Sequence, residues 1–375
     1  MRASFLFAAS VVCFAGTVSA DVIIPNYTIQ GLGTLGGASS TAYSVNNSGQ
    51  VTGVSKTASG SEQAFLYNGS FMTALPTGGS AVMSSGAHIN DRGENVGTTF
   101  FTGSTQGSYW SGSQSLLSNF GGSEGSAMSV NNAGQIVGSS QFSDGHAEAF
   151  VTSGNTMTAL GLLAGGDWSS ANDINNSGQV VGTASTKSGS FRAFTWTAGG
   201  QIQSLGTLGG SNSYAMSVSD KGVVAGNSQN ALGWTHAFSY FNGSMYDLGT
   251  LGGNNSYGYG TNSSGDVVGY SETTSGSTHA FIYRNGALVD LNNLLPSNSG
   301  WTIEAAYDIN DKGQIVGVGT NNGERLAFLL NPEAAHTSPP MMSGFSTFAG
   351  VATPEPETFL VAFVAISALL VSRMR

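Results

Sequence analysis

The sequence predicts an all-β fold, a seven-bladed β-propeller of four-stranded blades whose last blade is closed by the N-terminal strand. Three observations predict it. A glycine after an Asn/Ser/Asp run recurs at Gly49, Gly93, Gly134, Gly178, Gly222, Gly265 and Gly313, each followed four residues later by a second glycine. Steps of 41 to 48 residues between them fall in the range of solenoids and propellers. Each repeat, second, has room for four short strands, the content of one blade rather than of a β-solenoid coil. The ends, third, are offset. The seventh copy stops at Ala327-Phe328-Leu329-Leu330-Asn331-Pro332, and the strand it lacks stands before the first copy as Tyr27 to Gly37. An N-terminal strand that completes the last blade removes two exposed edges at once.

The elements of one repeat follow in order. Ala215-Met216-Ser217-Val218 reads as a half-buried first strand of period two. It ends at Ser219-Asp220-Lys221-Gly222, as sister copies end at Asn46-Asn47-Ser48-Gly49 or Asn310-Asp311-Lys312-Gly313. Such a turn needs a left-handed last residue, which glycine adopts without steric cost. The second strand, Gln50 to Ser55 in the first copy, has an interior glycine, which implies a close neighbouring group. The third strand has Ala-Phe-x-Tyr/Trp, as in Phe65 with Tyr67 and Phe238 with Tyr240, so both aromatics share a face. Asn68-Gly69, Asn242-Gly243 and Asn285-Gly286 signal tight hairpins into the fourth strand. A lone blade cannot bury its two apolar faces, so stability has to come from stacking.

Composition narrows the class. Of 375 residues 55 are Gly, charged residues make up 9% and apolar residues 40%, which describes a turn-rich globular chain. With Lys and Arg totalling 11 and a formal net charge of −10, the basic footprint for nucleic acid is missing. Residues 1–20 read as a signal peptide, with Arg2, an apolar core from Phe5 to Gly16 and Val18-Ser19-Ala20 before the cleavage point. Cys13, the single cysteine, would leave with it. The domain plan is therefore signal peptide 1–20, repeat domain 21–332, flexible linker 333–353 and a C-terminal segment 354–375.

The repeated LGTLGG…A-x-S-V-N-x-x-G-Q-V-V-G…HAF units, with His236-Ala237-Phe238 and His279-Ala280-Phe281, resemble the extracellular HAF repeats of bacterial proteins. The resemblance spans about residues 31 to 331; Gln63, Glu148, Arg192 and Leu326 replace the His elsewhere, and the second copy has Ser108 in place of the Phe. It implies an exported protein. Pro354-Glu355-Pro356, the apolar run Phe359 to Val371 and the basic Arg373 and Arg375 resemble a PEP-CTERM sorting signal. That resemblance implies processing by an exosortase in a Gram-negative, exopolysaccharide-producing cell. The chain would be anchored transiently by a short transmembrane helix and delivered to the cell surface or extracellular matrix. A plain C-terminal anchor is the alternative.

Chemistry is sparse. The sequence has no HExxH, nucleophile elbow or P-loop, and neither a catalytic residue nor a cofactor or metal site is expected. Asp173-Ile174-Asn175-Asn176-Ser177-Gly178 and Asp308-Ile309-Asn310-Asp311-Lys312-Gly313 faintly resemble calcium loops but lack the remaining carboxylates, and they read as hairpin turns. Asp247 and Asp290, equivalent on the fourth strand, should point outward on different blades. Loops 56–62, 142–147, 185–190, 229–235 and 272–278, differing in length and content, are the expected recognition surface. Trp168, Trp234 and Trp301 belong to that face, with His236 and His279 nearby, as ligand-binding candidates; capping the layers between blades is the alternative role for the tryptophans. Two functions follow: a non-enzymatic surface scaffold binding exopolysaccharide or another surface protein, or a secreted glycan-active enzyme using the propeller mouth.

Overall fold

The computed structural model describes residues 24–333; the expected signal peptide, most of the expected linker and the expected sorting segment lie outside the described residues. Within them the chain is all-β, apart from one 3-10 turn at Leu291–Leu294. Five of its sheets have four antiparallel strands, one sheet per repeat from the second to the sixth. The first and seventh repeats share an eight-stranded sheet, joined by a single parallel bridge between Ser39 and Arg325. The seventh repeat supplies three of its strands, Trp301–Ile309, Ile315–Asn321 and Glu324–Pro332. Its fourth neighbour is the N-terminal strand Tyr27–Gly31, antiparallel to the last, with Tyr27 opposite Pro332 and Gly31 opposite Phe328.

Apolar side chains fill the gaps between successive sheets. The Phe of each Ala-Phe pair, Phe65, Phe150, Phe194, Phe238, Phe281 and Phe328, is fully enclosed. In the second repeat Ser108 replaces it, and the buried Trp110 packs instead with Ala64 and Leu75 of the first. One cluster joins Val181, Ala193 and Leu205 of the fourth repeat to Ala215, Val224 and Phe238 of the fifth. Another joins Leu32, Val316 and Ala327 to Ala42, Val51 and Phe65, the last repeat to the first. Burial of each such large side chain contributes about 1.5–3 kcal/mol, and it is realised only between sheets.

Polar side chains staple the same gaps. Ser40, Ser84, Ser169, Ser213 and Ser256 each accept the backbone N–H of the Ala in the preceding repeat's Ala-Phe pair, including Ala327 N–H to Ser40 Oγ at 3.0 Å. The turn asparagines form a ladder. Asn46 Nδ2 donates to the carbonyl of Asn90, Asn90 to Asn131, Asn131 to Asn175, and Asn175 to Ser219. Asn262 donates likewise to Asn310, and Asn310 to Asn46. Each Asn also accepts N–H groups of its own turn, so it closes the hairpin and the gap together.

The interior glycine of the second strand answers to a backbone neighbour, as expected. A Cβ on Gly53 would stand 2.1 Å from the Thr41 carbonyl oxygen, and one on Gly269 1.8 Å from that of Tyr257. The first strand departs from plain alternation. In all seven repeats its pairing slips by one residue, between Ala42 and Ser44, Gly86 and His88, Ala127 and Ser129, Ala171 and Asp173, Ala215 and Ser217, Gly258 and Gly260, and Ala306 and Asp308. These are β-bulges, which re-aim the extra side chain. Asn242-Gly243 and Asn285-Gly286 make the tight turn with both residues at positive φ. Asn68 does not: its carboxamide accepts from Ser70 and Phe71 and closes a wider turn.

Candidate functional site

The seven bulged residues, Tyr43, Ala87, Met128, Asn172, Met216, Tyr259 and Tyr307, line one cavity of about 390 Å³. Tyr307 packs edge-on with Tyr43 at 5.5 Å and with Tyr259 at 5.2 Å between ring centres, forming an aromatic arc over the sixth, seventh and first repeats. Burial raises the hydroxyl pKa of all three above the usual tyrosine value, so the arc is a wall of neutral phenols. Met128, Met216 and Asn172 face the cavity from the third to fifth repeats, and Ser85, Gly86, Thr98 and Phe100 from the second.

His88, Asp173, Ser217 and Asp308 form a polar neck, shared with a second cavity of about 130 Å³ framed by the asparagine turns. Both carboxylates are tied to protein donors. Asp173 accepts from Ser129 Oγ at 2.6 Å, Ser217 Oγ at 3.0 Å, Val218 N–H at 2.8 Å and Ile174 N–H at 2.8 Å. Asp308 accepts from Val45 N–H at 2.9 Å and Ile309 N–H at 2.8 Å. Desolvation pushes the Asp308 carboxyl up; His88 pulls it down, as do hydrogen bonds from Val45 and Ser44, while Asp173 adds to the rise. His88 Nδ1 accepts the Val130 N–H at 3.4 Å, a long contact. Asp173 and Asp308 were expected in turns, and they sit instead on first strands, just before the turn residues. Among the described residues no group of three or more His, Cys, Asp or Glu could hold a metal ion.

The fold around these cavities is similar to that of solved structures. A puromycin-hydrolysing peptidase from Mycobacterium tuberculosis matches over 83% of this chain with a TM-score of 0.53 at 11% identity, and the chain spans 55% of that protein. The β-propeller domain of the Trilobed protease from Pyrococcus furiosus matches over 67% of the chain and 81% of its own length, with a TM-score of 0.50 at 9% identity. The fold is that of a β-propeller. Identities this low speak of fold alone. No family model matches the chain, and no curated protein does.

The residues expected at the ligand site lie away from these two cavities. Trp168 is half-buried, edge-on to Phe191 at 5.8 Å. Trp301 packs on Phe328 at 6.4 Å and against Gly31, covering the joint with the N-terminal strand. Trp234 is 42% exposed at a turn tip, beside the still more exposed Leu232. His236 Nδ1 meets Asp247 at 2.8 Å, and His279 Nδ1 meets Asp290 at 2.6 Å. Asp247 and Asp290 therefore each bridge back to the His of their own sheet. None of these five candidates lines either axial cavity.

The expected difference in length among the recognition loops needs correction. The turns at 57–61, 142–146, 186–190, 230–234 and 273–277 share one length and one pair of closing hydrogen bonds, with a left-handed Gly fourth. They differ in content alone. The variation that lines the cavity sits at the bulges, where Tyr43, Ala87, Met128, Asn172, Met216, Tyr259 and Tyr307 follow a nearly constant Ala or Gly.

Proposed function

We propose that this chain is a seven-bladed propeller closed by its N-terminal strand, exported to the cell surface or matrix, where it serves as a non-enzymatic binding scaffold associated with exopolysaccharide. Closure is supported by the pairing of Tyr27–Gly31 with Glu324–Pro332 and by the Asn310 to Asn46 and Ala327 to Ser40 hydrogen bonds between the last and first repeats. Export rests on the resemblance of residues 1–20 and 354–375 to secretion and sorting signals, with an exosortase as processing partner.

One observation supports binding over catalysis. Asp173 at the neck has four protein donors on its carboxylate, so both its oxygens are engaged by the fold rather than turned to a substrate. The aromatic cup beside it remains open. A glycan-active enzyme at the propeller mouth is the second reading, favoured by the raised pKa of Asp308 next to Asp173, the kind of pairing that separates a general acid from its partner. A glycan-binding and glycan-cleavage screen on the secreted protein distinguishes them. Binding without new reducing ends supports the scaffold. Cleavage that disappears in Asp308→Asn supports the enzyme. Intact mass of surface-extracted protein tests the export arm, which predicts that Cys13 and Arg375 are both gone.

A further inference from the structure

We propose that the axial cup is a binding site for a small organic cation with an apolar body, an amine or quaternary ammonium, rather than for a sugar or an anion. The inference concerns the cup's chemistry and is independent of where the protein is delivered. Three features of the cavity lead to it. Its wall is aromatic: Tyr43, Tyr307 and Tyr259 line it and meet edge to face, with Tyr270 stacked on Tyr259, and aromatic rings attract cations over the faces their neighbours leave uncovered. The opposite side offers Met128, Met216 and Phe100, polarizable and apolar surface for the ligand's body. The neck beneath holds two carboxyl groups, Asp173 and Asp308, beside His88, and no Lys or Arg lines the cup.

The charge at the neck is held in place rather than free to reach out. Donors from Ser129, Ser217, Val218 and Ile174 fix the Asp173 carboxylate, so it acts on a ligand through its field in a shielded space. Arg325, whose charge reaches Tyr43 and Tyr307, is paired with Glu304 at 3.1 Å. A sugar is held by planar amide or carboxylate partners with free hydrogen-bonding capacity, and the neck carboxylates Asp173 and Asp308 already accept from protein donors. The cup supplies Asn172 as its single side-chain amide, and that amide already donates to the Ala215 carbonyl at 2.7 Å. A volume of about 390 Å³ is within the range of small-molecule pockets.

The experiment is a titration of the unaltered secreted protein, followed by ligand-observed NMR, with choline and its neutral isostere 3,3-dimethylbutan-1-ol as probes and maltotriose as the sugar control. Choline is expected to bind about tenfold more tightly than the isostere, the discrimination a desolvated aromatic site gives. Tyr307→Phe, which keeps the ring, should retain that ratio, and Tyr307→Leu should lose most of it. The comparison on unaltered protein stands even if Tyr307→Leu fails to fold. Equal affinity for choline and the isostere, or no binding of either, overturns the proposal. So does choline binding that a folded Tyr307→Leu leaves unchanged, or maltotriose binding that excludes choline from the cup. Loss of glycan binding elsewhere on the propeller would overturn the scaffold reading and leave this one standing.

Discussion

Gly269 illustrates how much one residue position is decided by its neighbour's backbone. A methyl group there would lie 1.8 Å from the Tyr257 carbonyl oxygen, and that carbonyl belongs to the bulge strand that helps shape the cup. Gly269→Ala should therefore cost about 2–3 kcal/mol, read as a lowered urea midpoint, since neither strand can move without disturbing a bulge. The close approach was legible in the sequence because a strand-interior glycine recurred in every repeat; the bulge was not. Ala215-Met216-Ser217-Val218 looks like plain alternation, and nothing in those four residues announces that Met216 is the extra one. Asp308 gives a pH test at the same scale. Its folded pKa is raised, so the protonated form suits the fold. That stability is full below the ordinary carboxylate pKa and is lost as pH rises through the folded value. Asp308→Asn should thus look more favourable relative to wild type at pH 8 than at pH 4 by thermal melting. An equal difference at both pH values would contradict the assignment.

The turn that follows each first strand does two jobs, and the sequence showed one of them. The glycines Gly49, Gly93, Gly134, Gly178, Gly222, Gly265 and Gly313 all take positive φ, as the turn type required. The asparagine at the turn's start also donates across to the next repeat, a contact no local pattern specifies because its partner lies 41 to 48 residues away in five of the six rungs. The ladder skips one place. Ser219 has no carboxamide to offer the Asn262 carbonyl, and Ser263, in the neighbouring turn position, offers no acceptor like Asp91 or Asp220. Ser219→Asn supplies the missing donor and should stabilise the protein by about 1 kcal/mol, seen as a higher melting temperature. No gain, with the protein still folded, would mean that the fifth and sixth repeats are spaced differently from the rest. His236 and His279 follow the same logic: each meets an aspartate on the neighbouring strand, Asp247 or Asp290, a pairing that no single residue announces.

At the scale of the molecule, the repeat period and the offset ends were enough to read an all-β propeller plan, because both are global features of the chain. The cup was not legible in the same way. Exposed tryptophans and loop content are local signals, whereas the cup is assembled from seven positions spread from Tyr43 to Tyr307 and becomes visible only when the first strands are brought together. The central claim is that Tyr27–Gly31 closes the ring by pairing with the last repeat. Deletion of residues 21–31 tests it most directly, with urea unfolding followed at Trp110 in the second repeat and Trp301 in the seventh. Closure predicts that both probes shift together to a lower midpoint, because opening one joint exposes apolar faces throughout a ring of stacked sheets. A midpoint unchanged at Trp110, with loss confined to Trp301, would contradict it.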